Sequence, residues 1–449
     1  MTNSQKFWKR VTPAQVLLLG FVLMILIGTV LLSLPIASAN GVPPSFIDAL
    51  FTSTSAVTTT GLIVVDTGGF YSFFGQMVIL VLIQICGLGY MIFIALIILG
   101  LGGRMSFNGR MLLSESLAHP TSIDMLRFTK IVIIFTFVIE FIGATLMTFY
   151  WMNYFSVAKS IYSGVFHSIS AFCTAGFSIF SDSLCAWRGS ASFNIIAIAI
   201  FTAGGIGFFV LYDVYYLIKK ALRREYPQRL ETHSKFVLLL TVILIGLGAL
   251  VILVSEKWLP SISFKDRFLN AVFQSFTAST TTGFNTIDIG SMSPASLFTI
   301  IVLMFIGASP GGTGAGIKTV SFGIILLFLF SMLTGREDVN VFKRRIPAQT
   351  INKAFAIVFI AILWVLLAVG ILAVTEKASF LQVLFETVSA LSNVGLSTGI
   401  TSSLSNVGKI VISITMLVGR MGPLAIGFSL VGNPKPTKFK YAEADILIG

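Results

Sequence analysis

Charge is scarce in this sequence. Asp, Glu, Lys and Arg together make up 11% of the residues against 55% hydrophobic ones, and the mean hydropathy is +0.94. A soluble domain needs more charge to cover its surface, so most of the chain belongs in lipid. No polar block is long enough to fold as a separate soluble domain. The 449 residues leave room for about eight to ten helical spans of roughly 20 apolar residues each. The apolar segment that follows the basic start MTNSQKFWKRVTPAQ reads as a retained first span, because no small-residue cleavage signal follows it.

Cysteine and histidine are equally sparse. Cys86, Cys173 and Cys185 are dispersed and read as small hydrophobes, and His119, His167 and His233 do not cluster. No metal site, acid–base pair or nucleophile set emerges, which argues against an enzyme. Neither a dinucleotide fingerprint nor a phosphate-binding loop is present, so no cofactor is expected on this chain, and any nucleotide control must come from another.

Acidic residues number 18 against 30 basic ones, a formal charge of +12. In a soluble protein that excess would suggest nucleic acid; here its distribution points elsewhere. Of the 30 basic residues, 21 fall in alternate connections. They are Lys6, Lys9 and Arg10; Arg104, Arg110, Arg127 and Lys130; six between Lys219 and Lys235; five between Arg336 and Lys353; and Lys435, Lys438 and Lys440. The opposite connections hold seven. The bias places both termini and the basic connections in the cytoplasm, and no nucleic-acid partner is expected.

What the chain has is a repeat. FTSTSAVTTTGL from Phe51, FHSISAFCTAGF from Phe166, FQSFTASTTTGF from Phe273 and FETVSALSNVGL from Phe385 align on Gly61, Gly176, Gly283 and Gly395. Each has Phe ten residues before the glycine, Ser or Thr six before, Ala five before, and Leu or Phe just after. A long apolar stretch precedes each segment (roughly 14–36, 130–152, 235–255 and 352–375), and another follows (74–101, 192–218, 295–333 and 408–430). The repeated segment, at about 10–14 residues, fits a helix that enters the membrane and turns back. The reading is an all-α integral membrane protein: eight transmembrane helices in four span–loop–span units around one pseudo-four-fold pore. The units are 12–105, 125–222, 232–335 and 350–432, followed by a cytoplasmic tail, 433–449.

Non-helical backbone within a bilayer survives only where protein or water satisfies it. A glycine after a short helix suits an extended strand, and four such strands form rings of carbonyl oxygens that replace a cation's hydration shell. The short helices turn their partly negative C-terminal ends toward that centre. Thr60, Thr174 and Thr282 either add hydroxyl oxygens or brace the loops. Asp66, Asp182 and Asp288, five or six residues past their glycines, either concentrate cations at an outer mouth or are ordinary loop acids.

The third unit's second stretch is interrupted by Gly307, Ala308, Ser309, Pro310, Gly311, Gly312, Thr313, Gly314, Ala315 and Gly316. At costs of about 1 kcal/mol per Gly and 3 per Pro this run cannot remain helical. It reads as a gate below the filter or as a static kink. Arg420 lies within an apolar span, where a charge faces a cavity or a partner: either gate carbonyls or Glu140. Lys318 is similar, with the option of extending to the membrane surface.

These residues resemble the Trk/Ktr/HKT superfamily of potassium transporters over nearly the whole chain, and within it the membrane subunit of Ktr-type uptake systems. The resemblance implies a filter at Thr60–Gly61, Ala175–Gly176, Thr282–Gly283 and Val394–Gly395, with potassium at the backbone carbonyls and sodium either coupled or a tolerated competitor. It also implies the gating role of the Gly307–Gly316 run, a homodimer, and a cytosolic ring of nucleotide-binding (RCK/KTN-type) regulatory subunits. The chain lacks the fuller TVGYG signature of tetrameric potassium channels, which leaves fewer defined ion sites, and Pro310 is unusual in the gate motif. The competing class, an alternating-access carrier, suits the Gly-rich break but shows two-fold repeats, whereas this one is four-fold.

Overall fold

The computed structural model describes residues 13–88, 125–226, 229–256 and 262–422. The N-terminal basic cluster, the end of the first unit with Arg104 and Arg110, His119, and the tail with Lys435, Lys438 and Lys440 lie outside the described residues.

Four helices open the four units: α1 (Pro13–Leu32), α4 (Met125–Trp151), α8 (Thr232–Ser255) and α12 (Ala348–Thr375). Among the described residues these are the single helices long and apolar enough to cross a bilayer, and only 28–33% of each apolar window is buried. Their outer faces expose residues such as Phe141, Val242 and Leu366. Water would not tolerate such a surface, whereas lipid requires it.

The repeated segments form shorter helices inside this ring: α2 (Phe46–Val57), α5 (Val157–Phe172), α9 (Phe264–Ser279) and α13 (Phe380–Leu391). Ser45, Ser263 and Ser379 cap their N-termini, the last in a reciprocal capping box with Gln382. At 12 to 16 residues they rise about 18–24 Å, short of a full crossing. They bury their hydroxyl residues, Ser53, Ser55, Ser168, Ser170, Ser275 and Ser389 among them, inverting the soluble pattern.

The second helices are α3 (Phe73–Gly87), α6 (Ala191–Gly205), α10 (Pro294–Ile306) and α14 (Asn406–Met421), of 13 to 16 residues. The eight-span expectation is therefore not met by eight continuous helices among the described residues. The reading of 192–218 as one span needs correction: α6 ends at Gly205, and α7 (Phe208–Leu222) leaves it at 104°. Gly207, at φ 98°, supplies the turn. In unit three, α11 (Thr319–Leu333) resumes after the expected break. A two-residue antiparallel hairpin, β1 (Asn340–Val341) with β2 (Arg344–Arg345), is a small exception to the all-α description.

Two acids tie spans together. Glu256, which closes α8, accepts from Ser293 N at 2.9 Å and Oγ at 3.0 Å; Glu376, which closes α12, accepts from Ser405 N at 3.0 Å and Oγ at 2.5 Å. A second device recurs in units one to three. Ser53, Ser168 and Ser275 each donate at 2.7 Å to a span carbonyl, of Ile25, Glu140 and Ile245. Three residues further along, Gly28, Gly143 and Gly248 leave the room that this crossing needs, since a Cβ on any of them would strike the same serine's Oγ.

Gly248→Leu should therefore destabilise the protein by about 1–3 kcal/mol through overpacking, visible as a lower melting temperature in detergent. Gly246→Leu, two residues away where a side chain meets open space, should change it by less than about 0.5 kcal/mol. Equal shifts would refute the crossing as the constraint.

Candidate ion-conducting site

Each short helix ends in the same turn. Thr59, Thr174, Thr281 and Asn393, two residues before the glycines, adopt φ values of 52°, 49°, 55° and 48°. The next residue's amide reaches back to the helix: Thr60 N to Ser55 O and Ala175 N to Ser170 O at 2.8 Å, Thr282 N to Thr277 O and Val394 N to Ser389 O at 2.9 Å. This is the Schellman closure, which normally carries glycine at the left-handed position. Three β-branched threonines there are strained backbone held by their surroundings. The hydroxyl at the sixth position before the glycine completes the turn in units one and four, where Ser55 Oγ and Ser389 Oγ accept from the glycine amides at 3.0 and 3.1 Å. In unit two Ser170 Oγ instead donates to Phe177 O at 2.8 Å.

The four glycines close a ring. Each has positive φ (89°, 66°, 89° and 90°). A Cβ on Gly61 would strike Ala175 O, one on Gly176 would meet Thr282 O, one on Gly283 Val394 O, and one on Gly395 Thr60 O. The same imagined atoms would stand 3.2, 3.1, 3.3 and 2.9 Å from the Cα of the next ring glycine. The cycle runs in chain order and returns to its start, so all eight sequence-nominated ring residues come together around one centre. Their neighbours Leu62, Phe177, Phe284 and Leu396 are fully packed behind it, as are Phe51, Phe166, Phe273 and Phe385.

The threonine hydroxyls act as braces. Thr60 Oγ1 lies 2.7 Å from Thr58 Oγ1 and accepts from Asn393 Nδ2 at 2.8 Å, a bond between units one and four; Thr282 Oγ1 lies 2.8 Å from Thr280 Oγ1. Asp66 and Asp288 accept from the amides of Gly68 and Gly290 at 3.1 Å, so both shape their own turns, and Asp182 and Asp288 are exposed.

The Gly307–Gly316 run packs against the turns that carry this ring. Thr174 Oγ1 donates to Thr313 Oγ1 at 3.2 Å, Thr313 Oγ1 donates to Phe172 O at 3.0 Å, and Ala315 N donates to Thr281 Oγ1 at 3.0 Å. On another side the run joins the unit-two break: Ser309 N to Gly205 O at 3.2 Å, Thr313 N to Gly204 O at 3.1 Å, and Phe208 N to Gly311 O at 2.9 Å. Arg420 closes a third side, with Nη1 donating to Thr313 O at 2.5 Å and Nη2 to Cys86 O and Gly87 O at 2.7 and 2.9 Å. Glu140 instead accepts from Gln84 Nε2 at 3.1 Å, so the Arg420–Glu140 alternative is not what the structure forms. Lys318 does not extend away; its Nζ turns back to Gly314 O at 2.5 Å.

A membrane-embedded ring of four glycine turns carried on four short helices defines a class of cation transport protein, and comparison with known proteins agrees. The TrkH family, described as cation transport protein, matches residues 11–436, and the chain belongs to that family. It is 38% identical over 98% of both chains to the Ktr system potassium uptake protein B of Bacillus subtilis (strain 168). It is 35% identical to the potassium/sodium uptake protein NtpJ of Enterococcus hirae, over 98% of each. The crystal structure of the potassium transporter TrkH from Vibrio parahaemolyticus shares the fold, with a TM-score of 0.71 at 19% identity, covering 92% of this chain and 85% of that one.

The sequence reading missed the left-handed threonines, which no residue-type signal marks, and the unit-two break, for which Gly204, Gly205 and Gly207 were a signal in plain view. Hydrogen bonds to a charged group contribute about 1.5–3 kcal/mol each. In a Ser309→Cys background, Arg420→Ala should therefore raise the labelling rate of that buried thiol about tenfold or more, read by mass spectrometry. An unchanged rate would mean that Arg420 does not hold the run in place.

Proposed function

We propose that this chain takes up potassium across the cell membrane through a channel-like pore whose filter is the Gly61–Gly176–Gly283–Gly395 ring. The observation that carries this reading is the closure of four backbone turns into one cycle, an arrangement suited to coordinating a dehydrated cation by peptide oxygens. Family membership and the names of the similar proteins support potassium as the ion and sodium as a coupled or competing one. The Gly307–Gly316 run is the gate, bonded directly under the ring, and Arg420 and Lys318 set a positive charge beside it that opposes cation residence. The basic connections face the cytoplasm. A homodimer of this subunit contacts a cytosolic nucleotide-binding ring there, a partnership supported by the word "system" in the relatives' names.

Gly283→Ser meets both a positive φ and the Val394 carbonyl. In a transport-deficient host it should lower potassium uptake at least tenfold or invert the preference for potassium over sodium, with membrane abundance intact. Unchanged uptake and preference would remove the filter assignment. Deletion of 310–314 should raise flux several-fold if the run gates the pore, and leave it unaltered if it is a static kink. Strict stoichiometry and saturation at low rates in liposomes would favour the alternating-access carrier instead.

A further inference from the structure

Nine residues before each ring glycine the four units carry Thr52, His167, Gln274 and Glu386. All four are buried, with at most 1% exposure, although the residue types share no property except polarity. In three units the side chain crosses from the short helix to the strand that leaves the glycine. His167 Nε2 lies 3.0 Å from Ser178 Oγ, and Gln274 Nε2 donates to Thr286 Oγ1 at 3.4 Å. Glu386 accepts a very short bond from the Ser397 hydroxyl and another from Thr401 Oγ1 at 3.2 Å. Ser178 and Ser397 both lie two residues past their glycines. Unit one has Thr52, and its residue at the matching place is Ile63, which carries no hydroxyl.

These struts brace the outer half of the ring, and they are chemically unequal. Because the cycle runs through units one, two, three and four in order, the imidazole of unit two and the carboxylate of unit four stand across the ring from one another. The His167 ring is fixed at both nitrogens, with Nδ1 bonded to Ser163 O at 2.8 Å. The carbonyl can only accept, so Nδ1 carries a proton there. Glu386 differs in kind. Its bonds run to hydroxyls, and among the described residues no lysine or arginine nitrogen lies within 4.0 Å of it.

We propose that Glu386 is a positioning residue that sets the ion preference of the ring, a role that rests on the pore reading above. Its carboxyl group holds Ser397 and Thr401 through hydrogen bonds, and so fixes the strand that begins at Gly395. Ser397 Oγ also lies 2.8 Å from Thr401 Oγ1 and accepts from Gly399 N at 2.9 Å, so the carboxylate organises the whole turn. Val394, like Ala175, carries no hydroxyl next to its glycine, whereas Thr60 and Thr282 each bond a neighbouring hydroxyl. Discrimination between potassium and sodium by carbonyl oxygens depends on how firmly the oxygens keep their spacing and on the field they present. Glu386 contributes to the first, through the strand it pins.

The test is competitive potassium and sodium uptake in proteoliposomes by Ser397→Ala, Glu386→Gln and Glu386→Ala. Ser397→Ala and Glu386→Ala should each lower the potassium-over-sodium preference at least fivefold, chiefly by raising KM for potassium, with the maximal rate changed less than twofold. Glu386→Gln, which keeps a hydrogen-bonding head, should recover part of the loss, and Ser397→Ala combined with Glu386→Ala should cost little more than Glu386→Ala alone. Wild-type preference in Ser397→Ala and Glu386→Gln, with Gly283→Ser still disabling uptake, would overturn the strut and leave the pore standing. If Glu386→Ala fails to accumulate in the membrane, Ser397→Ala decides the matter alone.

Discussion

Lipid offers no hydrogen bonds, and four short helices of this protein end at buried turns among its apolar helices. A helix end leaves several carbonyls and the following amides without partners, and each left bare in hydrocarbon costs several kcal/mol. The repeat answers this demand. The left-handed turn returns one amide to the helix, and in units one and four the serine six residues before the glycine takes the glycine's own amide. The serine eight before ties the short helix to the span behind it in units one to three. The columns of phenylalanine and alanine fill the space around these bonds. The repeat is thus the solution, written four times, to one solvation problem.

Closure of the ring makes the four units interdependent. Each glycine is small because the preceding residue of the next unit places its carbonyl where a Cβ would stand. Distortion in one turn therefore passes to its neighbour through hard contact, while the side chains that brace each turn remain free to differ. Asn393 shows how far that freedom goes. It fills the left-handed position more easily than the threonines of the other units, and its amide spans to Thr60 and to Met416 O, both at 2.8 Å.

How much of this could be read in advance depends on whether a position is defined by residue type or by place. The ring glycines, the phenylalanines and the Gly-rich break repeat as types, and the sequence displays them directly. The nine-before column repeats only as a place; His, Gln and Glu share no hydropathy, so aligned letters concealed the crossing contact that three of the four units make. The left-handed threonines are similarly hidden, because threonine is a poor residue for that conformation and only the surrounding bonds make it tenable. The second break was visible as a signal but ambiguous. Gly204, Gly205 and Gly207 sit in an otherwise unbroken apolar run, and glycine is frequent in membrane helices. What distinguishes them is a partner, the Gly307–Gly316 run, more than a hundred residues away.

That partnership bears on how the Gly307–Gly316 run can move. The two breaks satisfy each other: Ser309 N, Thr313 N and Phe208 N are bonded to carbonyls of the opposite break. Arg420 then holds Thr313 O to the end of α3. Burying a guanidinium costs several kcal/mol, which its three bonds offset in part, so its contribution is better understood as register than as stability. On the proposed reading of the run as a gate, opening cannot be a swing of one loop. Displacing 307–316 strips the unit-two break of its partners as well, leaving bare backbone at membrane depth unless water enters or α7 moves with it. The angle of α7 to α6 is thereby coupled to the state of the run, and a displacement of α7 would reach the ring through the Phe208 N–Gly311 O bond and then through the hydroxyls of Thr313 and Thr281.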